Sequence, residues 1–157
     1  MKNSIRSVLG FLGWLALCFA AATTGMIFPT GEWYAQLQKP TWNPPNQIFP
    51  IMWTLLYLLM AFAAWRVWKI HGFQKARLAL TLFLIQLALN TLWTPLFFGY
   101  HHMGLAFIDI VLMIIAVAVT IVSFKPKDKI AAFMLIPYLA WISFASVLNW
   151  TLWRLNQ

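Results

Sequence analysis

Five long apolar runs limit what this chain can fold into. They cover residues 7–28, 48–68, 78–99, 104–124 and 130–153. Each is close to the roughly 20 apolar residues that a membrane-spanning helix needs. Backbone N–H and C=O groups in lipid must be paired within the segment, which a helix achieves. The runs therefore predict an all-α membrane protein, a five-transmembrane-helix bundle that forms one domain over residues 1–157.

The composition also favours a membrane protein. Of the 157 residues, 62% are hydrophobic and only 9% are charged, whereas about 25% are charged in soluble domains. The net charge is +8, but Lys and Arg cluster at the ends of the apolar runs, so we expect no nucleic-acid partner. The single cysteine, Cys18, excludes an intramolecular disulfide and a Cys-x-x-Cys metal or redox site, and is expected to be buried or lipid-facing.

The basic residues predict an orientation. Nine lie at the N-terminus and in the second and fourth connectors: Lys2, Arg6, Arg66, Lys69, Lys75, Arg77, Lys125, Lys127 and Lys129. Only Lys39 and Arg154 lie on the other side. Because basic residues accumulate in cytoplasmic connectors, the N-terminus is predicted in the cytoplasm. The first run could instead be a secretory signal, but it exceeds the usual core of about 7–15 residues and favours a span.

Polar and aromatic side chains inside the spans recur at helical spacing. A polar group in lipid needs a partner or a cavity, and residues three or four apart share a helix face. These faces are Trp53 and Tyr57 in the second span, Gln86, Asn90 and Trp93 in the third, and Tyr138, Trp141, Ala145 and Asn149 in the fifth. Two interpretations stay open: amides that join helices, and an aromatic pocket for a large, flat, mostly apolar ligand.

Three ionisable side chains are candidates for reactive sites. Asp109 is the only acid well inside a span. A proton relay usually needs several ionisable groups, so we expect Asp109 to pair with a backbone donor, Asn or Tyr. His101 and His102 could bind a metal or a haem iron, but no third ligand is evident nearby, and solvated histidines are expected. Neither a metal site nor a catalytic constellation is predicted.

Three stretches resemble the translocator protein family (TspO/MBR), also called tryptophan-rich sensory protein or peripheral-type benzodiazepine receptor. They are ATTGMIFPTGEWYAQLQKPTWNPPNQIFPIMWTLLY, NTLWTPLFFG and PYLAWISFASVLNWTLWR. The resemblance implies a five-helix bundle, often a homodimer, that binds protoporphyrin IX and, in many members, cholesterol or benzodiazepine-type ligands. It is strongest to bacterial members, which implies a bacterial cell membrane, with an outer membrane as the alternative.

The resemblance also implies which residues bind ligand. By motif position these are Trp42, Asn43, Trp53, Tyr57, Asn90, Trp93, Tyr138, Trp141, Ala145 and Asn149. The positions of Trp53 and Trp141 are implicated in light-dependent breakdown of protoporphyrin IX in some bacterial members. The predicted function is a membrane tetrapyrrole-binding protein that senses, transports or disposes of porphyrin, without a required cofactor. The alternatives are a light- and oxygen-dependent porphyrin-degrading enzyme and a small-solute or lipid transporter.

Two positions depart from the family pattern. Val147, Trp150 and Arg154 resemble a proposed cholesterol-contact pattern, but Trp150 stands where that pattern has Tyr. The substitution weakens the expectation of sterol binding. Thr41 stands where a related bacterial pattern has a second tryptophan beside Trp42, which removes one stacking face.

The connector over residues 29–47 is predicted to form a lid over the pocket. Its prolines between 40 and 45 fix the backbone and rule out one regular helix, so the segment would hold Trp42 and Asn43 over the pocket. Lys39 could meet the anionic propionates of a porphyrin, or it could be solvated. In the third span, small and polar residues suit close helix contact in a dimer; these are Ala79, Thr81, Ala88 and Thr91.

Overall fold

All five predicted spans are helical in the computed structural model, which describes residues 2–157. The helices are α1 (Lys2–Ala22), α2 (Thr24–Ile27), α3 (Glu32–Gln36), α4 (Ile48–Lys75), α5 (Arg77–Thr94), α6 (Met103–Phe124), α7 (Lys129–Met134) and α8 (Ile136–Leu155), with a π-helical turn at Pro95–Gly99. Residues 2–157 contain no strand, and five helical segments are long and apolar enough to cross a membrane. The predicted five-helix membrane fold is confirmed.

Three of the apolar runs differ in detail from the prediction. The first is interrupted after Ala22, where the short α2 follows α1. The second continues past Trp68 to Lys75, with a break at Gly72, whose φ of 68° suits a residue without a Cβ. The last run is two helices, α7 and α8, and Pro137 lies in the first turn of α8, where its missing N–H costs no helical hydrogen bond.

Helix α1 packs along α4 as a member of the bundle. The Trp65 Nε1–H donates to the Ser7 carbonyl oxygen at 2.8 Å. The Phe11 ring makes edge contacts with Phe62 and Trp65, at centroid distances of 6.1 and 5.4 Å. Cys18 on α1 is fully buried. The first apolar run therefore contributes to the protein core.

The outer surface of the bundle is apolar. Leu78, Val122 and Phe133 are each at least 70% exposed. Inside, Phe83 and Phe124 are fully buried and stack at 6.1 Å between α5 and α6. Apolar residues on both the inside and the outside are what a helical bundle in lipid requires.

One ion pair joins the helices at the end of the bundle where the basic residues lie. Arg66 Nε donates to Asp128 Oδ2 at 2.8 Å. Asp128 Oδ1 accepts the N–H groups of Ile130 and Ala131, at 2.9 and 3.1 Å, and so caps α7. Burial raises the pKa of the Asp128 carboxyl, but its bonds to Arg66 and the two amides outweigh burial and lower the pKa overall. Arg66 therefore stabilises the fold through this ion pair, and it is also one of the basic residues that predict the orientation in the membrane.

Candidate functional site

A cavity of about 540 Å³ lies among the helices at the end opposite the basic residues. This volume is in the range of small-molecule sites. Its lining, taken over the described residues, contains no Lys, Arg, His, Asp or Glu. Ten of the lining residues are aromatic: Phe19, Phe28, Tyr34, Phe49, Trp53, Tyr57, Trp93, Phe97, Phe98 and Trp141. The site therefore suits a large ligand with flat, apolar faces.

Three tryptophans on three different helices contribute to the lining. Trp53 on α4 lies beside Tyr57, with ring centroids 5.6 Å apart. Trp93 on α5 stacks on Phe97 at 5.0 Å and an interplanar angle of 18°. Trp141 on α8 meets Phe49 edge-on at 6.0 Å, and its buried Nε1–H has no partner in the described part of the chain. Helical spacing placed each ring on a face of its own helix, and the resemblance implied that the three share a pocket; in the structure all three line one cavity.

Two asparagines of the spans, Asn90 and Asn149, line this cavity but use their amides in bonds between helices. Asn90 is 3% exposed. Its Oδ1 accepts from the Tyr57 hydroxyl at 2.5 Å, and its Nδ2 donates to the Tyr138 hydroxyl at 3.1 Å. Asn149 accepts from Trp93 Nε1 at 3.1 Å and donates to the Met103 carbonyl oxygen at 2.9 Å. The polar residues of the spans had two interpretations, interhelical hydrogen bonds and a ligand pocket. The first therefore applies to the amides of Asn90 and Asn149, whereas the aromatic rings form the pocket.

Tyr138 lies behind the cavity rather than in its lining. It is fully buried, and its hydroxyl donates to Met113 Sδ at 3.2 Å while accepting from Asn90. Tyr138 was predicted to line the pocket, but in this structure its hydroxyl turns inward and completes the bonds of Asn90. Ala145 and Asn149, on the same helix, do contribute to the lining.

The connector covers the cavity with residues other than the predicted ones. Pro29, Thr30, Tyr34 and Asn46 are in the lining, whereas Trp42 and Asn43 are not. Trp42 is 45% exposed and packs edge-on against Phe144 at 5.9 Å. The chain turns here, since the Asn43 N–H donates to the Pro40 carbonyl oxygen at 3.0 Å. In this structure Trp42 therefore lies beside the cavity, against α8, and not in the lining where the prediction placed it.

Asn43 acts indirectly, by holding Tyr34. Its Oδ1 accepts from the Tyr34 hydroxyl at 3.3 Å, and its Nδ2 donates to the Pro44 carbonyl oxygen at 2.9 Å. Tyr34 is 3% exposed, and burial raises the pKa of its phenol. The predicted site does not include Tyr34 and Asn46 of the connector, nor five rings of the lining: Phe19, Phe28, Phe49, Phe97 and Phe98. All but Phe19 lie within the resembling stretches, which is the signal that could have indicated them.

Contacts at two points fasten the connector to the bundle. Gln38 N–H donates to Asn156 Oδ1 at 2.9 Å, and Asn156 Nδ2 donates to the Gln38 carbonyl oxygen at 3.0 Å. Trp33 stacks on the His101 ring at 4.0 Å and 14°. His101 has a φ of 58° and is exposed, as is His102. Among the described residues no group of three or more His, Cys, Asp or Glu could hold a metal ion.

Lys39 lies on the connector, and its ammonium group forms hydrogen bonds within the connector. Its Nζ donates to the carbonyl oxygens of Ala35 and Leu37, at 3.0 and 3.1 Å, and lies 4.8 Å from the Tyr34 ring centroid. Lys39 is not in the cavity lining. It therefore stabilises the connector fold in this structure.

Two polar side chains in the spans are buried without a full set of partners. Asp109 is 4% exposed, and its Oδ2 has no hydrogen-bond partner among the described residues. The expected pairing of Asp109 with a backbone donor, Asn or Tyr is therefore wrong. Gln86 contacts Met60 Sδ at 4.0 Å, but its Oε1 is unpartnered within the described part. Neither residue is in the cavity lining, although Ile110 beside Asp109 is.

The residues of the sterol-like pattern occupy the outer face of α8. Val147 is 56% and Trp150 43% exposed. The Arg154 guanidinium lies 5.8 Å from the Trp150 ring centroid. None of the three is in the cavity lining, whereas Leu148 and Leu152 on the same helix are. Helix α8 thus presents one face to the cavity and another to the membrane.

Comparison with known proteins identifies the family. The TspO/MBR family model matches residues 14–154. Protein CrtK of Rhodobacter capsulatus is 41% identical over 147 residues, covering 93% of this chain and 92% of the relative. The tryptophan-rich sensory protein of Cereibacter sphaeroides is 45% identical, covering 93% and 90%, and the human translocator protein is 44% identical, covering 85% and 82%. The resemblance seen in the motifs is confirmed, and the chain belongs to the TspO/MBR family.

Proposed function

We propose that this membrane protein binds a tetrapyrrole, protoporphyrin IX, in the aromatic cavity and takes part in sensing, transporting or disposing of porphyrin. One observation carries the proposal: a cavity of about 540 Å³ whose described lining has ten aromatic side chains and no Lys, Arg, His, Asp or Glu. Relatives named as a sensory protein and a translocator are consistent with such a role.

The cavity chemistry suggests how the ligand would lie. Trp53, Trp93 and Trp141 offer flat faces on which a macrocycle can stack. Charged propionates would lose hydration against these walls without gaining a counter-charge. They should therefore lie at the exposed part of the lining, near Thr30 and Asn46.

The route of entry follows from three other exposed residues of the lining. Met26 is 82% exposed, and Pro50 and Thr54 in the lining are also exposed. They lie on α2 and the start of α4, so the cavity opens between these elements. A mostly apolar ligand dissolved in the membrane could enter there without first passing through water.

A titration tests the proposal. Protoporphyrin IX is added to the purified full-length protein, and tryptophan quenching and porphyrin absorbance are followed. Trp53→Phe with Trp141→Phe should weaken binding about tenfold, because each aromatic contact is worth about 0.5–1.5 kcal/mol. Trp150→Phe is the matched control, since Trp150 lies outside the lining. Equal affinities for all three proteins would refute the site, and sterol and benzodiazepine-type ligands can be tested as competitors.

A second candidate function is light-dependent porphyrin degradation. It is favoured by the placement of Trp53 and Trp141, the two positions implicated by the resemblance, in one cavity. The test is to illuminate the protein with protoporphyrin IX in air and follow product absorbance. A rate above that of free porphyrin in the same detergent, reduced by Trp53→Phe, would support the enzyme. A rate equal to that of free porphyrin would exclude it.

We place the protein in a bacterial cell membrane with its N-terminus in the cytoplasm. The nine basic residues predicted on one side support this orientation. Single cysteines introduced at Lys125 and Gln157, in a Cys18→Ala background, should differ in labelling by a membrane-impermeant reagent added to whole cells. Gln157→Cys should react and Lys125→Cys should not, and the reverse pattern would contradict the orientation.

Assembly as a homodimer remains part of the proposal. Thr81 and Ala88 are exposed on α5, so a partner helix could approach them closely. Ala79 is only 3% exposed, and Thr91 is half-buried with its hydroxyl on the Leu87 carbonyl oxygen. Crosslinking through Ala88→Cys in native membranes should give a dimer, and a monomer alone would defeat this assembly.

A further inference from the structure

We infer that a groove between the start of α1 and α4, at the basic end, is a binding site for an anionic phospholipid. Its phosphate would pair with Arg6, and an acyl chain would lie along the apolar wall. The groove is separate from the aromatic cavity and shares no lining residue with it. This inference is independent of the proposed porphyrin site.

The groove lies where the Trp68 indole packs directly on Gly10 of α1. A Cβ at Gly10 would overlap the Trp68 ring, so only glycine lets the ring lie this close to α1. The groove beside this contact is shallow and open, with a volume of about 490 Å³, and is lined by Ile5, Arg6, Leu9, Gly10 and Trp68. Ile5 is 58% and Leu9 63% exposed, so both are available to a lipid chain.

Arg6 places an unpaired charge at this apolar groove. Its guanidinium lies 5.8 Å from the Trp68 ring centroid, close enough for a cation–π contact. The sequence has three acidic residues, Glu32, Asp109 and Asp128. Asp128 is bound by Arg66, Asp109 is buried in α6, and Glu32 belongs to the connector. Arg6 therefore has no carboxylate partner among the described residues.

The neighbouring charge increases the preference for an anion. Lys69 follows Trp68 directly, and its Nζ lies 4.7 Å from the Trp65 ring centroid. The Trp65 Nε1–H in turn donates to the Ser7 carbonyl oxygen on α1. The rings of Trp65 and Trp68 on α4 therefore both pack against the start of α1. A cation beside an apolar groove on the outer face of a transmembrane bundle matches a phospholipid, which has an anionic head and apolar chains. A free anion would use Arg6 but leave the apolar wall of Ile5 and Leu9 uncovered.

Competition between lipids tests the inference on the full-length protein. Native mass spectrometry in detergent compares retention of phosphatidylglycerol and phosphatidylcholine with identical acyl chains. The unmodified protein should prefer phosphatidylglycerol about fivefold, which is the expected effect of one charge near the headgroup layer. Arg6→Gln should lower the ratio most of the way towards one, with Lys69 contributing the remainder. Lys125→Gln, which removes an exposed charge at the same end but outside the groove, should keep the preference.

Further variants distinguish lipid binding in the groove from general attraction of anions to the basic end of the bundle. Leu9→Ser should lower retention of both lipids, because it removes apolar wall without changing charge. Equal retention of the two lipids by the unmodified protein would overturn the inference, as would equal losses in Arg6→Gln and Lys125→Gln. Displacement of phosphatidylglycerol by millimolar inorganic phosphate would show a free-anion site and would also overturn it. Porphyrin affinity should be the same in Arg6→Gln, because the two sites share no residue.

Discussion

The two ends of the bundle handle polar groups in opposite ways. At the cavity end, Asn90 and Asn149 are buried and bonded between helices, which leaves aromatic faces for a ligand. At the basic end, Arg66 pairs with Asp128, while Arg6 lies beside an open apolar groove. The same bundle therefore offers a ligand a shaped aromatic cavity at one end and positive charge at the other. Binding at the two ends should differ accordingly in its response to salt.

The largest expected effect comes from breaking the amide bonds behind the cavity. Asn90→Leu leaves the hydroxyls of Tyr57 and Tyr138 without their shared partner. Each unsatisfied buried group costs about 1–3 kcal/mol, so we expect a loss of about 2–3 kcal/mol in unfolding free energy, measured in detergent.

Gln86→Met is the matched control for that loss. Gln86 is as buried as Asn90, but its Oε1 is unpartnered in the described part of the chain and its Nε2 is 4.0 Å from a sulfur. Replacement by an apolar side chain of similar size should be neutral or stabilising. A similar loss in both variants would show that Asn90 owes its effect to volume rather than to its hydrogen bonds.

At the basic end, the ion pair and helix cap at Asp128 should contribute less. Asp128→Ala removes the contact with Arg66 and the cap of α7. A lost cap costs about 0.5–2 kcal/mol, so we expect about 1–2 kcal/mol in thermal or denaturant unfolding. Porphyrin affinity should stay unchanged, and a large drop in that affinity would show that the two ends are coupled.

The same carboxyl predicts a pH dependence. The pKa of Asp128 is lowered in the folded protein, so its stabilisation is fully present above the pKa of an unfolded Asp, about 3.9. It is lost as the pH falls through the folded value. Asp128→Asn should therefore be less stable than the unmodified protein at pH 7, and the difference should shrink below about pH 4. A difference that stays constant with pH would contradict the ion pair.

The smallest effect is expected from the connector. Pro44→Ala with Pro45→Ala increases the freedom of the segment that presents Asn46 and holds Asn43. Each Pro change is worth about 0.4–1 kcal/mol where the backbone suits proline. We expect porphyrin binding to weaken by several fold, with little change in the stability of the helices. Unchanged binding would show that connector rigidity does not matter for the ligand.

The helices and the rings that share a cavity could be predicted from the sequence for a simple reason. Spans follow from runs of apolar residues, and Trp53, Trp93 and Trp141 follow from helical period. Both are local properties of the chain. The period cannot tell which member of a face reaches a cavity and which turns into a neighbouring helix, which is why Tyr138 was assigned to the pocket.

The features that the sequence does not predict are contacts between segments far apart in the chain. The outward position of Trp42 depends on a turn at Pro40–Asn43 and on contact with Phe144 on α8. Arg66 and Asp128 are 62 residues apart and meet only because α4 packs beside α7. The lack of a partner for Asp109 Oδ2 in the described part of the chain likewise depends on which side chains α5 and α8 bring to it. Such contacts require helix placement, which composition and periodicity do not contain.

The decisive experiment is a structure of the protein with protoporphyrin IX bound. We expect the macrocycle to lie in the aromatic cavity against Trp53 and Trp141, with its propionates near Thr30 and Asn46. We also expect Asn90 to keep its bonds to Tyr57 and Tyr138. A porphyrin seated in the groove at Arg6, or on the outer face of α8 beside Trp150, would contradict the proposed site.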